Sequence, residues 1–235
     1  MSAKGEAHLA FEPWFEDVLR AAAIARGARV LVLEAWSPAQ SAAILVRIGA
    51  SGALTVVEPD PERAAAVDAL AHPGLGVLAY RAQRGDDLGM HDVVLCCPPA
   101  IDADRSGELL ALAVRNLRPG GRLVFDLPAN GQCDALRAAW TEIQAPAEGL
   151  TPFLGVDTAA FADELASRAL RQRETAELSY LVRFASPLDV ATRVAELCGA
   201  GEAVAEALRL VLTSRLETIG EIELPFRRVR ATAMR

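Results

Sequence analysis

Cysteine, histidine and long apolar runs are all scarce in this chain, and each shortage narrows the kind of protein it encodes. The four cysteines follow neither a CxxC nor a zinc-ligand spacing, and the three histidines are scattered without a ligand motif. We therefore expect no metal site and no disulfide framework. No stretch approaches the roughly 18 continuous apolar residues of a membrane span, and the N-terminus lacks the apolar core of a signal peptide. These shortages predict a reduced, cytoplasmic protein with no membrane span.

Positive charge is limited as well. The 24 lysines and arginines stand against 31 acidic residues, which gives a formal net charge of −7. A non-specific grip on nucleic acid needs a basic surface, so we expect no nucleic-acid partner. One basic cluster, Arg227-Arg228-Val229-Arg230, lies near the C-terminus. Its mixture of arginines and apolar residues predicts the solvated face of a strand.

The chain instead offers a regular alternation of apolar strands and amphipathic helices. Asp60 and Asp157 are expected to cap two of the helices, and Cys96 and Cys97 are expected to lie on opposite faces of one strand. This order favours a parallel sheet with helices on both faces, and the 52% hydrophobic content suffices for one core. The predicted strands cover 30–33, 54–57, 76–81, 92–97, 122–127, 173–184 and 224–234; the predicted helices cover 8–26, 39–48, 61–71, 108–116, 158–170, 189–198 and 202–219.

The first two strands frame the most informative segment. The strand from 28 to 33 is followed by a helix and then by a second strand that ends in the acid Glu58. A βαβ unit of this kind binds nucleotides when the acid holds the ribose hydroxyls and a glycine-rich turn approaches the ligand closely. Here the turn from 34 to 40 reads EAWSPAQ and contains no glycine. The frame therefore predicts a cofactor site, and the turn argues against one.

Three segments in order resemble the class I S-adenosylmethionine (SAM) dependent methyltransferases. Residues 27–31 (GARVL) are similar to the entry to the first strand of that family. Residues 55–61 (TVVEPDP) are similar to the segment that ends the second strand, and 117–124 (LRPGGRLV) to the turn before the fifth. The resemblance implies a Rossmann-like, doubly wound α/β fold with a mostly parallel seven-stranded sheet, helices on both faces and an antiparallel last strand.

The resemblance also implies a division of the chain. We expect a single methyltransferase-like domain over 1–235. Within it, 1–27 would form an N-terminal helical cap and 28–130 the Rossmann-like core. Residues 131–235 would supply a cover segment, the C-terminal helices and the closing strands, with the part from 130 to 157 predicted as loop over the carboxyl edge of the sheet.

The first motif of the family departs from its usual pattern. The acid of that motif falls on Val32, and its three glycines fall on Glu34, Trp36 and Pro38. Glycine permits positive φ and close approach of a ligand, whereas proline fixes φ and removes a donor. Glu34 would also repel the methionine carboxylate of SAM. Losing two or three hydrogen bonds of about 1 kcal/mol each lowers affinity on the order of 100-fold.

The remaining site residues follow from the resemblance. Glu58 matches the ribose-binding acid. The acid that meets adenine corresponds to Gln83 or to Asp86, and the sequence leaves both open. Together with Glu34 and Trp36 these residues make up a vestigial or divergent SAM pocket. No catalytic residue stands out.

Two functions fit this pattern. In the first, the chain no longer binds SAM in the usual way, needs no cofactor, and acts as a non-catalytic partner, scaffold or regulator of another protein, or as a homodimer. In the second, it is an active SAM-dependent methyltransferase that acts on a small molecule with a divergent cofactor loop. A pocket retained for a different ligand is a third possibility. The loss of four motif positions together favours the first.

Overall fold

The structure is a computed structural model that describes residues 14–34, 37–98, 101, 103–145, 155–197, 200–217 and 219–235. The described part contains seven strands: β1 (Arg29–Leu33), β2 (Ala53–Val57), β3 (Leu75–Leu78), β4 (His91–Cys96), β5 (Leu117–Pro128), β6 (Arg171–Phe184) and β7 (Ile222–Met234). Its eight helices are α1 (Phe15–Ala22), α2 (Pro38–Ile48), α3 (Pro61–Asp68), α4 (Ala103–Asn116), α5 (Asp134–Glu142), α6 (Thr158–Ala166), α7 (Pro187–Leu197) and α8 (Glu202–Leu216).

All seven strands form one sheet in the order β3-β2-β1-β4-β5-β7-β6. Strands β1 to β5 pair in parallel, and β7 runs antiparallel to both of its neighbours, β5 and β6. The chain turns from β1 outward to β3 and then crosses to β4 on the other side of β1. This confirms the doubly wound, mostly parallel sheet and its antiparallel last strand.

Alternating side chains of the strands divide the core into two layers. Val30 and Val32 point to the face that is covered by α1, α2, α3, α5, α7 and α8. Leu31 and Leu33 point to the opposite face, which α4 and α6 cover. Helices therefore lie on both faces, as expected. Cys96 and Cys97 are buried one in each layer, which confirms the prediction for that pair.

Local signals placed several helix starts correctly. The Asp60 carboxylate accepts hydrogen bonds from the backbone N–H groups at 62 and 63, and Asp157 accepts one from the N–H at 160.

Two expectations about secondary structure were wrong. Helix α5 lies inside the segment predicted as loop from 130 to 157, and the predicted tight turn at 118–121 belongs to β5, with a register shift against β4. Among the described residues, no helix combines the length and apolar composition that a membrane crossing requires.

The basic cluster near the C-terminus is not a solvated strand face, and that prediction was wrong. Arg228 is fully buried, and only Arg227 of the three arginines keeps substantial exposure. Arg228 and Arg230 lie on β7 beside β5, where both pair with the buried carboxylate of Asp126. The sequence pattern missed this because the acid that neutralises the arginines lies on a different strand.

Candidate functional site

Glu34 and Glu58 lie next to each other at the carboxyl edge of the sheet. Each follows directly on a strand, and these strands pair in parallel, with Leu33 opposite Val57. The backbone N–H of Glu34 donates to the carbonyl of Val57 at 2.8 Å, and the N–H of Glu58 donates to the carbonyl of Leu78 at 3.1 Å. Ligands of doubly wound sheets bind at this edge, near the point where the strand order reverses. The structure thus brings together two of the predicted site residues.

Glu34, which the resemblance aligns with the first glycine of the motif, has a backbone conformation that favours glycine. Its φ is +55°, in the left-handed region that costs a non-glycine residue about 1–2 kcal/mol. The carboxylate is held by Arg105 of α4, whose Nε lies 2.8 Å and whose Nη2 lies 2.7 Å from Oε1 of Glu34. This ion pair holds the strained turn at Glu34 in place. It also keeps the Arg105 guanidinium beside the turn.

Arg105 joins three parts of this edge. Besides Glu34 it donates from Nη1 to the carbonyl of Ala82 at 2.8 Å and to Glu108 at 2.8 Å. Burial opposes the charged form of Arg105, but the hydrogen bond to Glu108 and the attraction of Glu34 outweigh it and raise its pKa. The Arg105 side chain is only 6% exposed. It therefore acts as a fixed positive charge inside the edge, and nothing in the sequence pattern pointed to it.

Glu58 lies between β2 and α3 and is held by the start of α3. Its side chain is 0% exposed, and Oε1 accepts hydrogen bonds from Nε and Nη2 of Arg63 at 3.1 and 2.8 Å. The backbone N–H of Asp60 donates to the same oxygen at 2.9 Å. The second oxygen, Oε2, has no hydrogen-bond partner among the described residues. Oε1 is thus fully used in hydrogen bonds to Asp60 and Arg63, and Oε2 is a buried acceptor.

Burial raises the pKa of the Glu58 carboxyl above its ordinary 4.5, although the hydrogen bonds from Arg63 and the Asp60 N–H oppose this change. The negative charge of Glu34 raises the pKa further. Between the ordinary and the raised pKa, the folded protein holds a proton that the unfolded chain releases. The contribution of Glu58 to stability therefore falls as pH rises through that window.

A Glu58→Gln variant removes this titration, so its stability relative to the parent chain is expected to rise from acidic to neutral pH. Urea unfolding of both proteins at several pH values between about 4 and 7 measures this difference. Glu62→Gln, at an exposed position in the first turn of α3, is the matched control and should show no such trend. A difference in unfolding free energy that is independent of pH would contradict the assignment.

The other predicted site residues are placed differently. Gln83 is exposed, and its backbone N–H donates to the carboxylate of Asp86 at 2.9 Å, so Asp86 closes its own turn. Tyr80 also hydrogen-bonds this carboxylate, and burial together with Asp86 raises the Tyr80 pKa. The carbonyl of Asp86 accepts from Asn116, at the far end of α4 from Arg105. Trp36 lies outside the described residues.

The start of α2 is capped by the chain itself. Ser37 accepts a hydrogen bond at 3.4 Å from the backbone N–H of Gln40, and Pro38 is the first helical residue. Proline is well tolerated there because the N–H that it lacks would have no partner within the helix. Pro38 therefore serves as a helix start, and the donor that it removes is one that a bound phosphate or carboxylate would otherwise use.

A second ionic cluster lies near the carboxyl ends of β4 and β5. The Asp126 side chain, fully buried, accepts from Nε of Arg228 at 2.8 Å and from Nε and Nη2 of Arg230 at 2.9 and 2.6 Å. Arg228 also donates to the carbonyl of Pro98 at 3.2 Å and stacks over the Trp14 ring, 4.9 Å from its centroid. Asp126, Arg228 and Arg230 thus form a largely buried ionic cluster at this part of the sheet edge.

These residues do not fit SAM held in the usual way. Glu34, which the resemblance aligns with the first glycine, is neutralised by the internal Arg105, and Glu58, the predicted ribose acid, is buried and half committed to Arg63. No group of three or more histidines, cysteines and acids that could hold a metal ion occurs among the residues that the structure describes. Among the described residues, the acids at this edge are held in ion pairs with arginines of the same chain.

No protein-family model matches this sequence, and a search of curated proteins found no match either. Solved structures, in contrast, align with it over nearly its whole length. YcgJ from Bacillus subtilis is 10% identical with a TM-score of 0.66, over 94% of this chain and 97% of that one. A SAM-dependent methyltransferase from Geobacter sulfurreducens, in complex with S-adenosyl-L-homocysteine, is 14% identical with a TM-score of 0.56, over 95% and 91% of the two chains.

A third similar chain comes from the complex between the Haloferax volcanii Trm112 methyltransferase activator and a methyltransferase. It is 16% identical with a TM-score of 0.57, over 99% of this chain and 94% of that one. Likenesses at such low identity concern the fold and not the activity. Together with the strand order, they show that this chain has the class I SAM-dependent methyltransferase fold.

Proposed function

We propose that this chain is a methyltransferase-fold protein that no longer binds SAM in the usual way and serves as a non-catalytic partner, scaffold or regulator of another protein. One observation carries the proposal. Both acids at the cofactor edge, Glu34 and Glu58, are engaged by arginines of the same chain, Arg105 and Arg63. The groups that a cofactor would meet are thus used to stabilise the edge itself.

The energetics favour this interpretation. A ribose that reached Glu58 would have to enter a fully buried position next to the Arg63 pair. A methionine end placed at Glu34 would have to displace Arg105 or lie beside a carboxylate of like charge. Removing one partner of a buried ion pair costs about 3–5 kcal/mol, which is a large part of the roughly 8 kcal/mol of a micromolar site.

A protein partner is consistent with one of the similar structures. The Haloferax volcanii chain was solved as a complex of a methyltransferase activator with a methyltransferase. This precedent belongs to that protein. For the present chain, a partner remains part of the proposal, as does the absence of a cofactor.

An active SAM-dependent methyltransferase that acts on a small molecule is the second candidate, and one observation favours it. Oε2 of Glu58 is a buried acceptor without a described donor, as a ribose-binding oxygen would be before the ribose arrives. The Geobacter sulfurreducens structure holds S-adenosyl-L-homocysteine on the same fold. In this alternative Glu58 would hold the ribose, and the divergent loop after β1 would take a path of its own around the cofactor.

Titration calorimetry of the purified chain with SAM and with S-adenosyl-L-homocysteine separates the two candidates. The proposal predicts no heat of binding and no change in Tm at millimolar ligand. A site with a micromolar Kd would be stabilised by about 2.7 kcal/mol at a ligand concentration 100 times Kd. For a chain of this length that is a rise in Tm of roughly 5–10 °C. Such a rise would overturn the proposal.

The Glu58→Gln variant sharpens the result. If SAM binds the parent chain through Glu58, the variant should lose most of that binding while it remains folded. If the parent chain binds SAM and the variant binds it equally well, Glu58 is not the ribose acid and the ligand lies elsewhere. Glu62→Gln is again the matched control because it changes an exposed charge on α3, four residues after Glu58.

A further inference from the structure

Strand β6 forms one edge of the sheet and is long for an edge strand. It runs from Arg171 to Phe184, and no strand among the described residues pairs with its outer side. Edge strands offer a row of free backbone groups, and proteins normally protect them with short length or with charges. We propose that β6 pairs antiparallel with β6 of a second copy of this chain, centred on Tyr180, to continue the sheet across a twofold axis.

The geometry of an antiparallel pair restricts how two identical strands can meet. Along a strand, the side-chain face and the direction of hydrogen bonding both alternate with a period of two. Residues that lie opposite each other must therefore share both properties. For two copies of one strand, this means that the twofold axis passes through a residue and not between two residues.

Of the centres that remain, Tyr180 gives the best match along the strand. It places Glu177 opposite Arg183 of the second copy, and Arg183 opposite the other Glu177, so two opposite-charge pairs form. It also places Leu178 opposite Val182. Nine residues of each strand, 176–184, face each other, which is a paired length of about 30 Å.

Two other centres bring like charges together, and an axis at Ala176 or Ser179 forms no charge pair at all. With the axis at Glu177, that acid faces itself and Arg171 faces Arg183. With the axis at Leu178, Arg173 faces Arg183. An axis at Thr175 would pair Arg173 with Glu177, but that half of β6 contains the register shift between Arg171 and Glu174. Like charges directly opposite destabilise a sheet and opposite charges stabilise it, so the charge pattern favours the axis at Tyr180.

Within one copy, Arg183 and Glu177 of β6 already pair with charges of opposite sign on β7. Arg183 pairs with Glu223 of β7 at 2.8 Å, and Glu177 lies 3.4 Å from Arg227 of β7. In the dimer, the row across four strands would therefore read Glu223, Arg183, Glu177 and Arg227, with the sign alternating at each step. Arg183 and Glu177 are 69% and 41% exposed, so they can gain a further partner without leaving the present one.

Both faces of β6 leave room for a neighbouring strand. On one face Leu181 is 65% exposed and would come to lie beside Ser179 of the second copy. On the other, an open groove of about 510 Å³ runs between α1 and β6, lined by Asp17, Arg20, Leu178, Tyr180 and Arg230. A strand pair alone buries less than the roughly 1,200 Å² of stable complexes, so we expect a weak, concentration-dependent dimer.

Two charge-reversed variants test the pairing. Glu177→Arg places an arginine opposite Arg183 of the second copy, and Arg183→Glu places a glutamate opposite Glu177, so each variant alone has two like-charge pairs. Mixed together, the two variants form a dimer in which one strand carries both arginines and the other both glutamates, so both pairs are of opposite charge. Sedimentation velocity up to near-millimolar concentration should show a dimer for the parent chain and for the mixture. Each single variant should dimerise on the order of tenfold to hundredfold more weakly.

The melting temperature of each variant establishes that it is folded before the comparison is made. A parent chain that stays monomeric at near-millimolar concentration would overturn the proposal. So would single variants that dimerise as strongly as the parent, or a mixture that fails to restore the dimer. The pairing does not depend on whether the chain binds SAM, so its failure and that of the proposed function are separate outcomes.

A cysteine substitution fixes the register independently. Opposite residues in antiparallel strands have Cα atoms about 4.5–5.5 Å apart, within the range that a disulfide spans. Only Tyr180 faces its own copy, so Tyr180→Cys should form a covalent dimer on mild oxidation. Leu181→Cys, which faces Ser179, is the control and should not. Equal cross-linking of both variants, or of neither, would contradict an axis at Tyr180.

Discussion

Replacing Asp126 with asparagine is expected to lower the free energy of unfolding by about 3–5 kcal/mol, the cost of removing one partner from a buried ion pair. Asparagine keeps the shape of the side chain but loses the negative charge that faces Arg228 and Arg230. Neither guanidinium can reach bulk water easily, since Arg228 is fully buried and Arg230 is 12% exposed. Two positive charges would then share the interior with no acid between them.

The cluster also joins distant parts of the chain, which is why its loss should be felt globally. Arg228 donates to the carbonyls of Asp126 and Pro98, at the ends of β5 and β4, and stacks on Trp14 before α1. Arg230 donates to the Tyr180 hydroxyl on β6 at 2.9 Å. The contacts that these arginines make with β4, β5, β6 and the start of α1 therefore depend on the Asp126 carboxylate.

Urea unfolding followed by circular dichroism measures the effect of Asp126→Asn, with an unchanged m-value as the sign that the folded state is intact. Asp134→Asn is the matched control, because Asp134 is 64% exposed and pairs with Arg137 and Arg227 at the surface. Surface pairs of this kind contribute at most about 1 kcal/mol. A loss of stability for Asp126→Asn no greater than that of the control would show that the cluster contributes little.

The second large effect is expected at Arg105. Arg105→Met keeps an apolar side chain of similar length but removes the charge that holds Glu34 in its left-handed conformation. It also removes the donor to the carbonyl of Ala82. We expect a loss of about 2–3 kcal/mol, somewhat less than for a fully buried pair because Glu34 keeps 16% exposure.

A second substitution should recover much of that loss. Glu34→Gly in the Arg105→Met background removes the unpaired carboxylate and places at this turn the residue that adopts positive φ without strain. Chemical unfolding of the two single variants and the double variant gives the coupling energy. Glu108→Gln is the control for Arg105, since Glu108 is 52% exposed. Additive losses in the double variant would mean that Arg105 does not act through Glu34.

The candidate site could be predicted in part. The frame of strand, turn and acid led directly to Glu34 and Glu58, because residues that follow paired parallel strands meet at one edge. It did not lead to Arg63 or Arg105. Arg63 lies five residues after Glu58 and was within reach of a local argument. Arg105 lies 71 residues from Glu34 and becomes its partner only because α4 packs on β4 and β5, and β4 pairs with β1.

The sequence by itself determined the order of the strands and of every helix except α5, the capping of α3 and α6, the two-sided burial of Cys96 and Cys97, and the loss of glycine after β1. Each of these depends on neighbours within a few residues, where periodicity and capping chemistry act directly. Only the tertiary structure decided which charges are neutralised inside the protein. Asp126 and Arg228 are 102 residues apart, and a cluster of arginines in a sequence looks solvated until the acid on another strand is seen beside it. Charge burial is a property of the assembled sheet, because the free energy of an ion pair depends on the solvent that the packing excludes.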